Sequence, residues 1–226
     1  ENLKVDFLNQ ESSAYHLYLL FLMKYSTPLK YTFDMITPQE KINFIAEISG
    51  NHNGSLERAK LLIKAAAEAG ATSVKFQTYT PDTMTLDLPE FAVSDEHALW
   101  GGKNLYSLYS EAYTPWEWHP VLFQAAAKEG LICFSSPFDK TAVDFLEQLE
   151  VPAYKVASLE ITDIPLIEYI ASKGKPVIIS TGIADENDIV LAIEACKKQG
   201  NDQIVLLKCT TSYPAPIAEA NLVMIK

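Results

Sequence analysis

The sequence predicts an α/β fold, a TIM (β/α)8-type barrel truncated after about six strands, and two observations carry that prediction. From residue 42 onward, short apolar runs of strand length alternate with amphipathic stretches of helical period. Polar residues cluster at or just past the C-terminal ends of those runs.

The strand candidates are 42–48, 73–78, 131–134, 153–157, 177–180 and 203–208; the helix candidates are 56–69, 116–128, 141–149, 164–172 and 186–198. In the first helix Leu62, Ala66 and Ala69 recur at helical spacing while Glu57, Lys60, Lys64 and Glu68 take the other face. Gly70, Gly130, Gly174 and Gly200 each close a helical pattern just before the next strand. Strands apolar on both faces and joined by helices belong to a parallel sheet covered by those helices. The connection 79–115, with three Pro, two Gly and several aromatics, is too long for a plain link and predicts a functional excursion.

Neither GxGxxG nor GxxxxGK[ST] occurs, which leaves a doubly wound sheet or a barrel. A doubly wound sheet concentrates its site at one switch point. Here Glu47, Lys75, Gln77, Ser135, Ser136, Lys155, Ser158, Ser180, Thr181, Lys208 and Thr210 are spread over every unit, as at the rim of a barrel. A closed barrel needs eight strands, so two strand-helix units are expected to be absent, and residues 41–226 form an incomplete barrel domain. Residues 1–40 are an unassigned extension, and a start at Glu1 rather than Met is read as a fragment.

A chain of 226 residues, 48% hydrophobic and 21% charged, can bury one sizeable core. A net charge of −11 argues against nucleic-acid binding. It leaves room for an anionic small substrate, because a few converging lysines set the local field. Cys133, Cys196 and Cys209 lack CxxC spacing and read as buried free thiols of a cytoplasmic protein. The apolar run 15–23 is too short to cross a bilayer and lacks signal-peptide flanks.

Lys75 in SVKFQT and Lys155 in AYKVAS stand inside apolar strands, where desolvation is costly without an anionic partner. With hydroxyls from Ser136, Ser158 and Ser180 they suit a phosphate plus a carboxylate; the alternative is structural pairing with buried carboxylates. Glu47 either pairs with Lys75 or serves as a general acid/base or sugar ligand. Glu160 in ASLEIT is a weaker candidate with a helix N-terminal charge as its alternative. His52 is a site residue or a turn residue. Asn51 and Asn53 suit a tight turn on their own. His16, His97 and His119 lack ligand spacing, so no metal site is assigned.

Five blocks in order now resemble the sialic acid synthase family: IAEISGNHNGSLERAKLLIKAAAEAGATSVKFQTYTPDTMTLD (45–87), SSPFD (135–139), PAYKVASLE (152–160), GKPVIISTG (174–182) and KCTTSYPAP (208–216). YTPDTMTLD and KCTTSYPAP look most like the pseudaminic acid synthases within it. The resemblance implies condensation of phosphoenolpyruvate with an acetamido-sugar, release of phosphate, a divalent metal (Mn²⁺ or Mg²⁺) and a homodimer. By the same resemblance Lys75, Ser136, Lys155, Ser158 and Ser180 hold phosphate and carboxylate. Glu47 contacts the sugar or attacking water, with Glu160 beside it as a catalytic candidate. Gln77 and Tyr213 line the sugar pocket, Asn51 and His52 are further substrate-binding candidates, and Thr211, also a substrate-binding candidate, stands where the family has an asparagine. The family's metal histidines lie in LSDHT-like and E-[KR]-H-F-like blocks that this sequence does not contain, nor does it contain the antifreeze-like domain. The chain alone is therefore expected to be inactive, and a related phosphoenolpyruvate-dependent synthase or a non-catalytic paralogue are the alternative readings.

Overall fold

The computed structural model describes residues 22–23, 42–93, 101–212 and 215–225. Its strands are β1 (Leu22–Met23), β2 (Ile45–Glu47), β3 (Ser73–Thr78), β4 (Ile132–Pro137), β5 (Tyr154–Val156), β6 (Val177–Ser180) and β7 (Ile204–Leu207). The helices are α1 (Leu56–Glu68), α2 (Pro81–Met84), α3 (Leu105–Ala112), α4 (His119–Lys128), α5 (Lys140–Gln148), α6 (Ile164–Ala171) and α7 (Glu186–Lys198). Strands β2 to β7 are parallel, and their spatial order is their chain order. No reversal of order occurs among them, so the switch point of a doubly wound sheet is missing and the six strands form part of a barrel wall. The extension contributes β1, antiparallel to β7 with Leu22 opposite Leu207.

Local chemistry explains where the elements begin. Ser55, Asn104, Asp139, Asp163 and Asp185 cap α1, α3, α5, α6 and α7, each side chain accepting from a backbone N–H of the first turn. The four glycines that close helices have φ of 86° (Gly70), 73° (Gly130), 70° (Gly174) and 74° (Gly200), a region that costs glycine little. Three elements differ most from expectation, the first being the strand expected over 42–48, which is confined to Ile45–Glu47. The fourth strand runs on to Pro137, taking Ser135 and Ser136 inside it. The stretch 116–128 splits into a 3₁₀ turn (Trp116–Trp118) and α4, whose first turn holds Pro120.

Strand alternation sorts side chains onto two faces. One set, Ala46, Ile48, Val74, Phe76 and Cys133, packs with Ala59, Ile63 and Ala66 of α1 and Leu122 and Ala126 of α4. The buried stripe of α1 is therefore Ala59–Ile63–Ala66, one residue round from the expected Leu62–Ala66–Ala69. Tyr154, Val156, Val177, Ile179 and Leu206 pack likewise against Leu146, Ile167, Ile170 and Cys196 of α5, α6 and α7. The opposite parity gives Ile45, Phe134, Ala153, Ile178, Val205 and Leu207, which cluster with no helix residue. This second face is the barrel interior, and its apolar layer is the floor on which the polar residues stand.

Candidate functional site

Two residues further along β2, β4, β5 and β6 the inward positions become polar (Glu47, Ser136, Lys155 and Ser180), and on β3 the buried Ser73 is followed by Lys75. Register makes this a ring. Glu47 lies opposite Lys75, and Gln77 opposite Ser136. The Lys75 ammonium donates to Ser136 Oγ (3.1 Å) and forms an ion pair with Glu47. The Lys155 ammonium donates to Ser180 Oγ (2.5 Å) and to the Val156 carbonyl (2.6 Å). Both ammonium groups are buried, at 5% and 3% residue exposure. Burial and the charge of Lys75 depress the Lys155 pKa to about 7, although Cys209, Glu47 and Glu160 act to raise it.

Two carboxylate oxygens here are buried without a hydrogen-bond partner, Glu47 Oε1 and Glu160 Oε2. Glu160 lies on the 3₁₀ turn Leu159–Thr162. Burial raises its pKa, opposed by a hydrogen bond from its own backbone N–H and by Lys155. Two ammonium groups in a field of hydroxyls thus face two unsatisfied acceptors, an arrangement that can hold a dianion beside a ligand rich in O–H or N–H donors.

The far side of the ring is closed by a tight contact. Ser158 Oγ lies 3.1 Å from Cys209 Sγ and accepts from Gly182 N–H (3.3 Å). A Cβ on Gly182 would come within 2.0 Å of Thr211 Oγ1, 2.9 Å of Ser158 Oγ and 3.0 Å of Cys209 Sγ. Gly182→Ala is therefore expected to push these groups apart and destabilise the chain by about 1–3 kcal/mol. Urea unfolding checks this, and a midpoint equal to that of the parent would refute it. Cys209 is half-exposed at this contact, unlike the buried thiols Cys133 and Cys196, so the expectation of three buried thiols holds for two.

Several expected residues go elsewhere. Ser135 belongs to the outward face: its Oγ lies 2.7 Å from Thr78 Oγ1, which in turn meets Nε2 of the buried His119 at 2.8 Å. Burial pulls the His119 pKa to about 4, against weaker raising hydrogen bonds from nearby backbone. His52 is fully buried in the turn after β2. Its Nδ1 accepts from Gly54 N–H (3.2 Å), its Nε2 meets Thr114 Oγ1 (3.1 Å), and Trp118 packs edge-on against the ring. Burial lowers its pKa. Both ring nitrogens are thereby engaged in fixing the turn. Asn51 lies in the same turn, its carbonyl accepting from Arg58 Nε (3.0 Å). Tyr213, His16 and His97 lie outside the described residues. Among the described residues no group of three His, Cys, Asp or Glu side chains can hold a metal ion.

A parallel barrel wall whose polar groups converge at the strand C-termini defines the class, the (β/α)-barrel proteins that take ligands at that rim. The NeuB family model matches residues 62–226, and the chain belongs to the NeuB family. It is 46% identical over 183 residues to the pseudaminic acid synthase of Campylobacter jejuni subsp. jejuni serotype O:2, covering 81% of this chain and 53% of that one. It is 48% identical over 178 residues to the Helicobacter pylori pseudaminic acid synthase, covering 79% and 52%. The chain thus spans about half the length of the curated relatives it matches. Among solved structures, N-acetylneuraminic acid synthetase from Leptospira borgpetersenii in complex with citrate superposes with a TM-score of 0.70 at 30% identity, covering 80% of this chain and 58% of that one. The Bacillus subtilis spore coat polysaccharide biosynthesis protein spsE superposes at 0.65 with 36% identity, covering 79% and 46%.

Proposed function

We propose that the chain forms the phosphoenolpyruvate-holding part of a nonulosonic acid synthase of the pseudaminic type. The observation that carries this reading is the pair of buried ammonium groups, Lys75 and Lys155, each with a serine hydroxyl on the neighbouring strand. Lys75 is compensated by Glu47, while Lys155 has no carboxylate within ion-pair distance among the described residues, so its buried charge is costly unless an anion arrives to neutralise it. Phosphoenolpyruvate offers both a phosphate and a carboxylate. In this reading Lys75, Ser136, Lys155, Ser158 and Ser180 hold those groups. Carbon three of the enol attacks the aldehyde of an acetamido-sugar, forming the new carbon–carbon bond. Water then adds at carbon two and phosphate leaves. Glu47 and Glu160, with one free oxygen each, take the proton that the adding water loses and return it to the alkoxide left by the aldehyde, and Gln77 lines the sugar side.

The family resemblance implies a divalent metal, Mn²⁺ or Mg²⁺, which would supply Lewis-acid chemistry where it bound. The donors at hand do not make a metal centre: Glu47 is taken by Lys75, and the described residues hold no third ligand. In this reading residues 41–226 are an incomplete part of the synthase's barrel domain, and the assembled enzyme is a homodimer. Three free thiols fit a cytoplasmic setting, and no helix among the described residues is long and apolar enough to cross a membrane.

Calorimetric titration with phosphoenolpyruvate tests the reading. Saturable one-to-one binding that weakens as salt rises is expected. A folded chain that takes up no phosphoenolpyruvate would refute it.

A further inference from the structure

Interior parity continues past the polar ring. After Lys75 and Gln77 the next inward position is Tyr79, and after Phe134 and Ser136 it is Phe138. Tyr79 is buried and packs edge-on against Phe138, with ring centroids 5.5 Å apart and planes at 83°. On its other side it meets Tyr109 in the same way, at 5.8 Å and 80°. Tyr109 belongs to α3, inside the long 79–115 excursion. That helix is fixed against the barrel. Gly50 abuts Ala112 so closely that a Cβ would come within 2.9 Å of its carbonyl oxygen. Trp116 Nε1 donates to the Tyr79 carbonyl (3.1 Å), and Thr114 is tied to His52. The excursion therefore holds one half-buried tyrosine above the ring. Burial raises the Tyr109 phenol's pKa and the charge of Glu160, within electrostatic reach, raises it further.

The polar ring below holds the anion; this lip stands above it, where the second substrate must approach. An aromatic edge next to an unsatisfied carboxylate matches one feature of an acetamido-sugar, an apolar N-acyl methyl beside an N–H donor. We propose that Tyr109, at the end of the Phe138–Tyr79–Tyr109 lip, is the residue that selects an N-acylated sugar over its hydroxyl counterpart. The inference rests on the reading above, in that the anion is phosphoenolpyruvate and the partner a sugar.

The test titrates the full 226-residue chain, with phosphoenolpyruvate present, using N-acetylmannosamine and mannose as probes. The parent chain is expected to favour the N-acetyl sugar by about tenfold. Tyr109→Ala should reduce that preference to within about twofold, and Tyr109→Phe, which keeps the ring, should retain most of it. Phosphoenolpyruvate titrated into the alanine variant reports that the ring of lysines and serines is intact; if that variant does not fold, Tyr109→Leu takes its place. A preference that survives in the alanine or leucine variant overturns the proposal, as does a parent chain that binds both sugars equally or neither. Failure of the parent chain to bind phosphoenolpyruvate overturns the proposed function and this inference together.

Discussion

Lys155→Met is expected to unfold at a higher temperature than the parent chain near pH 6 and to have lost phosphoenolpyruvate. The two effects share one cause. Burial strips water from the Lys155 ammonium, Lys75 repels it, and its pKa falls to about 7. In the unfolded chain the same group titrates near 10.4. Below the folded value both states carry the proton, so the cost of burying the charge is present in full. Between the two values the unfolded chain binds more protons, and stability rises with pH. Above the unfolded value the group contributes nothing. The cost is on the order of a few kcal/mol, and methionine, of similar length and uncharged, removes it. Thermal unfolding of both chains at pH 6 and pH 9 should show a gap that narrows at the higher pH. A variant that melts below the parent at pH 6 would contradict this account. Loss of phosphoenolpyruvate in the same variant would identify the destabilising charge with the binding charge.

The opposite result is expected for Glu47→Ala. Lys75 has two partners, the Glu47 carboxylate and Ser136 Oγ. Removing the carboxylate leaves a buried ammonium with one neutral acceptor, which typically costs about 3–5 kcal/mol. The double change Glu47→Ala with Lys75→Met removes both charges and should recover most of that loss. Urea unfolding of the three chains measures the cycle. If Glu47→Ala is as stable as the parent, the pair does not carry the weight assigned to it.

The sheet and its helices were legible because both rest on local chemistry. β3, β6 and α7 lie where the apolar runs and caps place them, and the four closing glycines have the left-handed backbone their position implies. The lysines of the ring were legible for a related reason, since a charge inside an apolar strand announces its own cost. Which face a polar residue takes was harder to read. Ser135 and Ser136 are neighbours of one type, and only the register of β4 sends the first to Thr78 and the second to Lys75. His52 read as an open case because a lone histidine shows neither burial nor partners. Tyr79 and Phe138 could have been found by continuing the alternation two residues beyond Gln77 and Ser136. Tyr109 could not, because its contact with Tyr79 depends on how the excursion folds back. The pairing of β1 with β7 spans nearly the whole chain and left no local trace.

That spatial order equals chain order in β2 to β7 bears on how the molecule is made. Each strand, as it leaves the ribosome, meets a partner that was synthesised just before it, so the wall can grow by one edge at a time. Sequence-local pairings of this kind favour fast folding over long searches. The excursion between Thr78 and Ile132 interrupts that growth once, yet a loop roughly threefold longer than its neighbours raises the closure cost by only about 1 kcal/mol. β1 is the exception to vectorial assembly. Among the described strands it precedes the other six and its partner β7 follows them, so it docks only after β2 to β7 have been made.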